Sequence, residues 1–160
     1  MNETTDRYAY LDSPIGGLRV HSDGVGVTEI DFDAHRDGGE TRDVVLDAAV
    51  SQLREYFAGE RTTFDVPLGP QKGSAFQRSV WKALCDIPYG QTATYGELAA
   101  ELELGPFGAR AVGSANASNP IPIIVPCHRV IGANGTLTGY AGGLERKQTL
   151  LDLEQGPALF

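Results

Sequence analysis

The stretch Pro126-Cys127-His128-Arg129-Val130 sets a thiol, an imidazole and a guanidinium on consecutive residues at the end of an apolar run. A cysteine attacks as the thiolate, and neighbouring positive charge lowers its pKa toward neutrality. His128 and Arg129 supply such charge in the chain itself. Ahead of them, Asn119-Pro120-Ile121-Pro122-Ile123-Ile124-Val125-Pro126 carries alternate prolines, which remove backbone donors and predict a stiff, extended, non-helical segment. Taken alone, a cysteine in such a setting is more often inert core than nucleophile. Adjacent strand residues point to opposite faces, so Cys127 and His128 can share a proton relay only if the chain turns there or a water bridges them.

The elements that must position this segment can be read in order. Tyr8 to Leu11, Leu18 to His21 and Val25 to Phe32 alternate or run apolar at strand length, with turn residues Ser13-Pro14-Ile15-Gly16-Gly17 and Ser22-Asp23-Gly24 between them, and predict an antiparallel meander. Thr41 to Phe57 predicts an amphipathic helix over that sheet, with Gly59 as its stop. Phe64-Asp65-Val66 suggests a short strand, and Pro67 to Gly73 an interdomain linker. Ser74-Ala75-Phe76-Gln77 and Thr94-Tyr95-Gly96-Glu97 are capping boxes, each opening a helix. Cys85 continues the apolar side of the first and is read as core. Gly105-Pro106 ends the second helix and opens a third, Phe107 to about Asn116, which together suit a helix-turn-helix. That third helix is rich in Ala and Gly, which permits close approach to a surface but not base-specific readout. Leu144 to Gln155 predicts a last helix anchored by Leu150, Leu151 and Leu153, with Gly156-Pro157 as terminator. The fold expected is α+β, with domains at 1-70 and 71-160.

Pro126-Cys127-His128-Arg129-Val130-Ile131-Gly132, with Arg110-Ala111-Val112-Gly113 upstream and Gly139-Tyr140-Ala141-Gly142-Gly143 downstream, resembles the O6-alkylguanine-DNA alkyltransferases, also called methylated-DNA-protein-cysteine methyltransferases. The likeness is strongest from about Phe76 to Glu154, and motifs matching in order over half a chain are a specific signal. The resemblance implies a ribonuclease-H-like N-terminal domain and a C-terminal winged-helix or helix-turn-helix domain. It implies direct repair of double-stranded DNA: the alkyl group of O6-alkylguanine, or of O4-alkylthymine, passes irreversibly to Cys127 after base flipping. No redox or group-carrying cofactor is required.

Carried over residue by residue, the resemblance makes Cys127 the nucleophile, His128 its water-linked partner and Glu154 the carboxylate that orients His128. Tyr95 donates to guanine N3. The carbonyls of Cys127 and Val130 and the amide of Ala141 hold the base, with Asn116 and Tyr140 also in the substrate site. Arg110 fills the space the base vacates, and Ala111, Gly113, Ser114 and Thr94 lie against DNA. Asn119 ties the recognition helix to the active-site segment, and Arg129 serves as a structural tether more than as a pKa-lowering charge. Gly108 stands where many relatives have a better helix former, which puts the third helix's stability in question. Some relatives bind zinc through N-terminal Cys and His; that half here has His21 and His35 but no cysteine, so no metal site is expected.

Composition sets limits on partners. The 160 residues carry a net charge of -8, at first sight adverse to nucleic acid. From Gln71 to Arg129, however, the net is +1, leaving -9 for the rest. No apolar run approaches the roughly 20 residues of a membrane-spanning helix, and the first residues are unlike a signal peptide. Two cysteines give no disulfide framework, so a reducing cytoplasm is the expected setting; a monomer is expected as well. Two other readings stay open at this point. One is a lesion-binding module without chemistry, weakened by the presence of Cys127; the other is a Cys/His/Glu hydrolase, for which no oxyanion-hole motif is visible. Only three of 13 basic residues are lysines, and with the acidic remainder this suggests a chain adapted to high salt. DNA would then be held largely by stacking, burial and hydrogen bonds, and the activity is expected to rise or hold with added salt; an optimum near dilute buffer would reject the idea.

Overall fold

The computed structural model describes residues 7–135, 137, 140 and 142–156. The chain divides into two compact units, residues 1–71 and 72–160.

In the first unit, strands β1 (Arg7–Leu11), β2 (Leu18–Ser22) and β3 (Val27–Asp31) form an antiparallel sheet in the order β1-β2-β3. Alternate residues Ala9, Leu11, Leu18 and Val20, with Val27 and Ile30, are buried, as the period of two requires for a sheet covered on one face. The cover is helix α1 (Val44–Phe57), which buries Val45, Leu46, Ala49, Val50, Leu53 and Tyr56. Its start lies later than the sequence pattern suggests. Asp43 caps it by accepting from the Leu46 amide at 2.8 Å, and the Thr41 amide is already bound to the Tyr8 carbonyl at 3.2 Å.

Phe64-Asp65-Val66 is not a strand. The edge pairing falls instead at Leu68, in a parallel bridge with Val27. There the Val27 amide donates to Pro67 O at 2.9 Å and the Gly69 amide to Val27 O at 2.8 Å. The Pro/Gly run read as linker thus begins as a pinned sheet edge, because the proline keeps its carbonyl as an acceptor.

The second unit opens with α2 (Ala75–Leu84), where both halves of the Ser74/Gln77 capping box are formed. Cys85 sits at the C-cap and is exposed, not core: the helix ends before that position can turn inward. After β4 (Ala93–Thr94), the Thr94/Glu97 box caps α3 (Tyr95–Glu101), and α4 (Gly108–Ala117) follows to complete the helix-turn-helix. Helix α4 is tied to α2 by the Trp81 indole, which donates to Ala115 O at 2.8 Å. The last elements are a 3₁₀ turn at Cys127–Arg129, β5 (Val130–Ile131), parallel to β4, and α5 (Leu144–Gln155). Leu150 and Leu151 anchor α5, together with Lys147 and Glu154; Leu153 is only half-buried.

Gly108 is a packing requirement and not the weak point its propensity suggests. A Cβ there would lie 2.5 Å from Leu104 Cβ and 2.9 Å from Ala99 Cβ. The overpacking penalty exceeds the propensity gain of about 1 kcal/mol. Gly108→Ala is therefore expected to lower stability by about 1–2 kcal/mol in urea unfolding; an unchanged or higher midpoint would show that α3 and α4 can separate at no cost.

Candidate active site

The segment before Cys127 is buried, as expected, but it is folded back and not extended. The Ile124 amide donates to Pro122 O at 2.9 Å across Ile123, whose φ is +75°. This is the rarer, strained form of γ-turn, on a β-branched residue. The Val125 amide reaches Ile121 O at 2.9 Å, and the Cys127 amide reaches Val125 O at 2.8 Å across Pro126 (φ −82°, ψ 66°), an inverse γ-turn. Prolines forbid helix but not such hairpin-like compaction. Asn119 holds the fold closed: its Nδ2 donates to Val125 O at 2.8 Å, and its Oδ1 accepts from the Ile121 amide at 3.0 Å.

Cys127, His128 and Arg129 then turn together, the Arg129 amide donating to Pro126 O at 3.0 Å. The chain thus has the bend that a Cys127/His128 relay requires. Cys127 is 2% exposed and His128 fully buried. Glu154, which the sequence alone would leave at an exposed helix end, is buried and binds both neighbours. Its Oε2 lies 2.6 Å from His128 Nε2, its Oε1 accepts from Arg129 Nε at 2.8 Å, and its Oε2 also accepts from the same guanidinium at 3.0 Å. Arg129 Nη1 donates to Ile87 O at 2.6 Å. A carboxylate paired with a guanidinium is ionised and can only accept, so His128 carries its proton on Nε2. His128 Nδ1 is then a bare acceptor, buried and without a hydrogen-bond partner among the described residues.

The electrostatics correct the simple expectation for the thiol. Burial pushes Cys127 up to about 11, against smaller opposing effects from the Asn119 side chain, the Cys127 amide and Lys147. Arg129 is held in two contacts by Glu154. Burial also holds His128 below the usual imidazole range, although Glu154 favours its charged form. Both groups of the relay are therefore neutral at rest.

Pairing of β4 with β5 (Ala93 with Val130, Thr94 with Ile131) sets Tyr95 beside the strand leaving the cysteine turn. Tyr95 lines a cavity of about 500 Å³ with Arg110, Gly113, Ala117 and Ala133. A Cβ at Gly113 would stand 3.7 Å from the Tyr95 ring. Arg110, Ala111 and Ser114 lie on the exposed side of α4, whereas Asn116 is buried. Asn116 Nδ2 donates to Cys127 O at 3.3 Å, and the same carbonyl receives the Val130 amide. Thr94 Oγ1 is engaged in the α3 cap. Tyr140 is buried and within electrostatic range of Cys127; Gly139 and Ala141 lie outside the described residues.

Sequence reading missed Lys147, which is wholly buried, with Nζ 5.9 Å from the centre of the Tyr95 ring. Its helical phase was the available signal: it shares a face with Leu150, Leu151 and Glu154. Among the described residues one group, His21, Glu29 and Asp31 in the first unit, brings potential metal-ligand atoms within 4.8 Å of one another. His21 Nε2 lies 2.8 Å from Asp31 Oδ2, a cross-strand contact that accounts for the clustering without an ion.

Glu154→Gln removes the counter-charge of a buried guanidinium and is expected to cost about 3–5 kcal/mol in urea unfolding at neutral pH. Because His128 is harder to protonate folded than unfolded, its contribution is complete above about pH 6.5 and is lost as pH falls through the lower folded value. Stability should thus decline below that pH, and less so in His128→Asn; an equal decline in both would remove His128 as the cause.

Family models match nearly all of this architecture: the 6-O-methylguanine DNA methyltransferase ribonuclease-like domain over residues 7–70 and the DNA binding domain of the same family over residues 75–156. A methylated-DNA–protein-cysteine methyltransferase of Mycolicibacterium paratuberculosis is 51% identical over 153 residues, 92% of each chain. One from Methanosarcina acetivorans is 50% identical over 92% of this chain and 97% of its own. The crystal structure of Mycobacterium tuberculosis OGT in complex with DNA superposes with a TM-score of 0.82 at 51% identity, covering 92% of both chains. With the cysteine turn, the helix-turn-helix and these likenesses in agreement, the chain belongs to the methylated-DNA–protein-cysteine methyltransferase family.

Proposed function

We propose that this protein repairs O6-alkylguanine in duplex DNA by moving the alkyl group onto Cys127 Sγ, where it stays. The observation that carries this is the bare, buried Nδ1 of His128, fixed by Glu154 on the residue next to a buried thiol. A water between Sγ and Nδ1 takes the thiol proton to the imidazole as sulfur approaches the alkyl carbon. The S–C bond forms, the C–O bond breaks, and its electron pair goes to guanine O6. Tyr95 donates a proton to guanine N3 and regains one from His128 through solvent. A thioether is a poor leaving group, so each molecule acts once.

A stacked base cannot reach a buried thiol, so the nucleotide is flipped out at a cost of a few kcal/mol. Arg110, solvent-facing on a helix side otherwise made of Ala111, Ser114 and other small residues, fills the gap in the duplex. Gly113 and Thr94 lie against the backbone. The flipped base is held by the carbonyls of Cys127 and Val130, the Ala141 amide and Tyr140. Binding at Cys127 O displaces the long Asn116 contact of 3.3 Å, which frees that amide for the substrate. Asn119 and Arg129 keep the turn in shape. In this reading residues 1-70 and 71-160 are the working domains, and the protein acts as a monomer in the cytoplasm, where thiols stay reduced.

Incubation with a duplex containing O6-methylguanine should add one methylene to the Cys127 peptide, at most once per molecule, and none to Cys127→Ala. Arg110→Ala should slow transfer from duplex by roughly tenfold or more, and much less from a single-stranded oligonucleotide that needs no flipping. Repair with Cys127 unmodified, or a duplex bound and left alkylated, would contradict the proposal, the second outcome favouring a lesion-binding role.

A further inference from the structure

We propose that Phe107, at the head of α4, makes an apolar contact with duplex DNA and supplies affinity that salt does not weaken. The inference deepens the reading above and rests on it. Among the described residues Phe107 is the most exposed large apolar side chain, at 85%. Its backbone cannot turn it inward. The Gly108 amide donates to Gly105 O at 3.1 Å, closing a tight turn with Pro106 and Phe107 (φ −105°, ψ 10°) at its corners. Behind that turn Gly108 is packed so closely on Leu104 and Ala99 that one added carbon would clash. The ring is held out on a fixed corner.

Folding alone does not call for a phenylalanine here. Phe107 is the N-cap of α4, where Ser, Thr, Asp or Asn would accept an early amide. Such caps open α2 and α3, whereas α4 has no side-chain cap bond. Single exposed apolar residues are ordinary on protein surfaces; register sets this one apart. Counted three and four along the helix, Phe107, Arg110, Ala111 and Ser114 form one exposed stripe, and the last three are the residues placed against DNA above. The ring lies about 4.5 Å along the axis from Arg110, so a duplex that seats the arginine also meets the phenylalanine. Charge argues for the same contact. Residues 95–118, the two helices and their turn, carry Glu97, Glu101 and Glu103 against Arg110 alone, a weak attraction for phosphate. An aromatic ring set against deoxyribose and base edges releases no counterions, and apolar side chains of this kind wedge against base steps in other DNA-binding proteins.

The test measures binding of the full chain to an undamaged duplex by fluorescence anisotropy across a series of potassium chloride concentrations. Sedimentation without DNA and methyl transfer from an O6-methylguanine duplex are read beside it. Phe107→Ser should weaken binding about tenfold at every concentration and leave the slope of log affinity against log salt unchanged. Phe107→Trp should keep the parent affinity. The urea midpoint of Phe107→Ser should equal or exceed the parent's, because serine is the better cap. Parent affinity in Phe107→Ser overturns the proposal, as does a loss that vanishes at high salt or a lowered midpoint. A parent dimer that Phe107→Ser dissolves also overturns it, making the ring a contact between copies. If the tenfold loss is seen but the parent accepts no methyl group, the repair reading fails and the DNA contact stands. If the parent accepts methyl and Phe107→Ser binds equally well, the contact alone fails.

Discussion

One carboxylate organises this site. Glu154, on the final helix, binds the guanidinium of Arg129 and the imidazole of His128 at once, all three groups being buried. A buried ion pair of this kind adds little net stability compared with an apolar substitute, yet breaking it is expensive. Its effect is therefore to specify: α5 can dock on the cysteine turn in one way only, with the Arg129 guanidinium also reaching Ile87 O just after α2. The same carboxylate fixes which nitrogen of His128 is free. Structural tether and chemical preparation are thus one interaction.

Burial acts on both groups of the relay in the same sense, against charge. It favours the protonated thiol and the neutral imidazole. In the proposed scheme, where each molecule acts once, such restraint preserves the reagent. Activation in that scheme is a local proton move from sulfur to His128. Backbone geometry contributes as well. The γ-turns at Ile123 and Pro126 hold the thiol on a short, rigid arch pinned by Asn119, and strain at Ile123 is tolerated because its neighbours are hydrogen-bonded and buried.

Much of the fold was legible because it is locally encoded. Both capping boxes, the meander, the helix-turn-helix and the limits of α5 follow from cap residues, turn residues and periodicity that act within a few positions. What was not legible depends on partners distant in sequence. The Pro67 to Gly69 edge needs Val27, and Thr41 is held out of α1 by Tyr8. Alternating prolines exclude helix at 119–126 but do not choose between an extended chain and consecutive γ-turns. In the site, family motifs pointed to Cys127, His128 and Glu154, but the burial of Glu154 and Lys147 follows from how α5 docks, which no local pattern states. The direction of the thiol's shift was not legible for the same reason: burial, which pushes it up, comes from partners distant in sequence.

The central claim is that His128 waits as a neutral imidazole with its proton on Nε2 and a bare Nδ1. Nitrogen NMR of the histidine-labelled protein without DNA reads this directly from the shifts and couplings of the two ring nitrogens. The account predicts a protonated Nε2 and an unprotonated Nδ1 at neutral pH. A proton on Nδ1, or an imidazolium at rest, would contradict it.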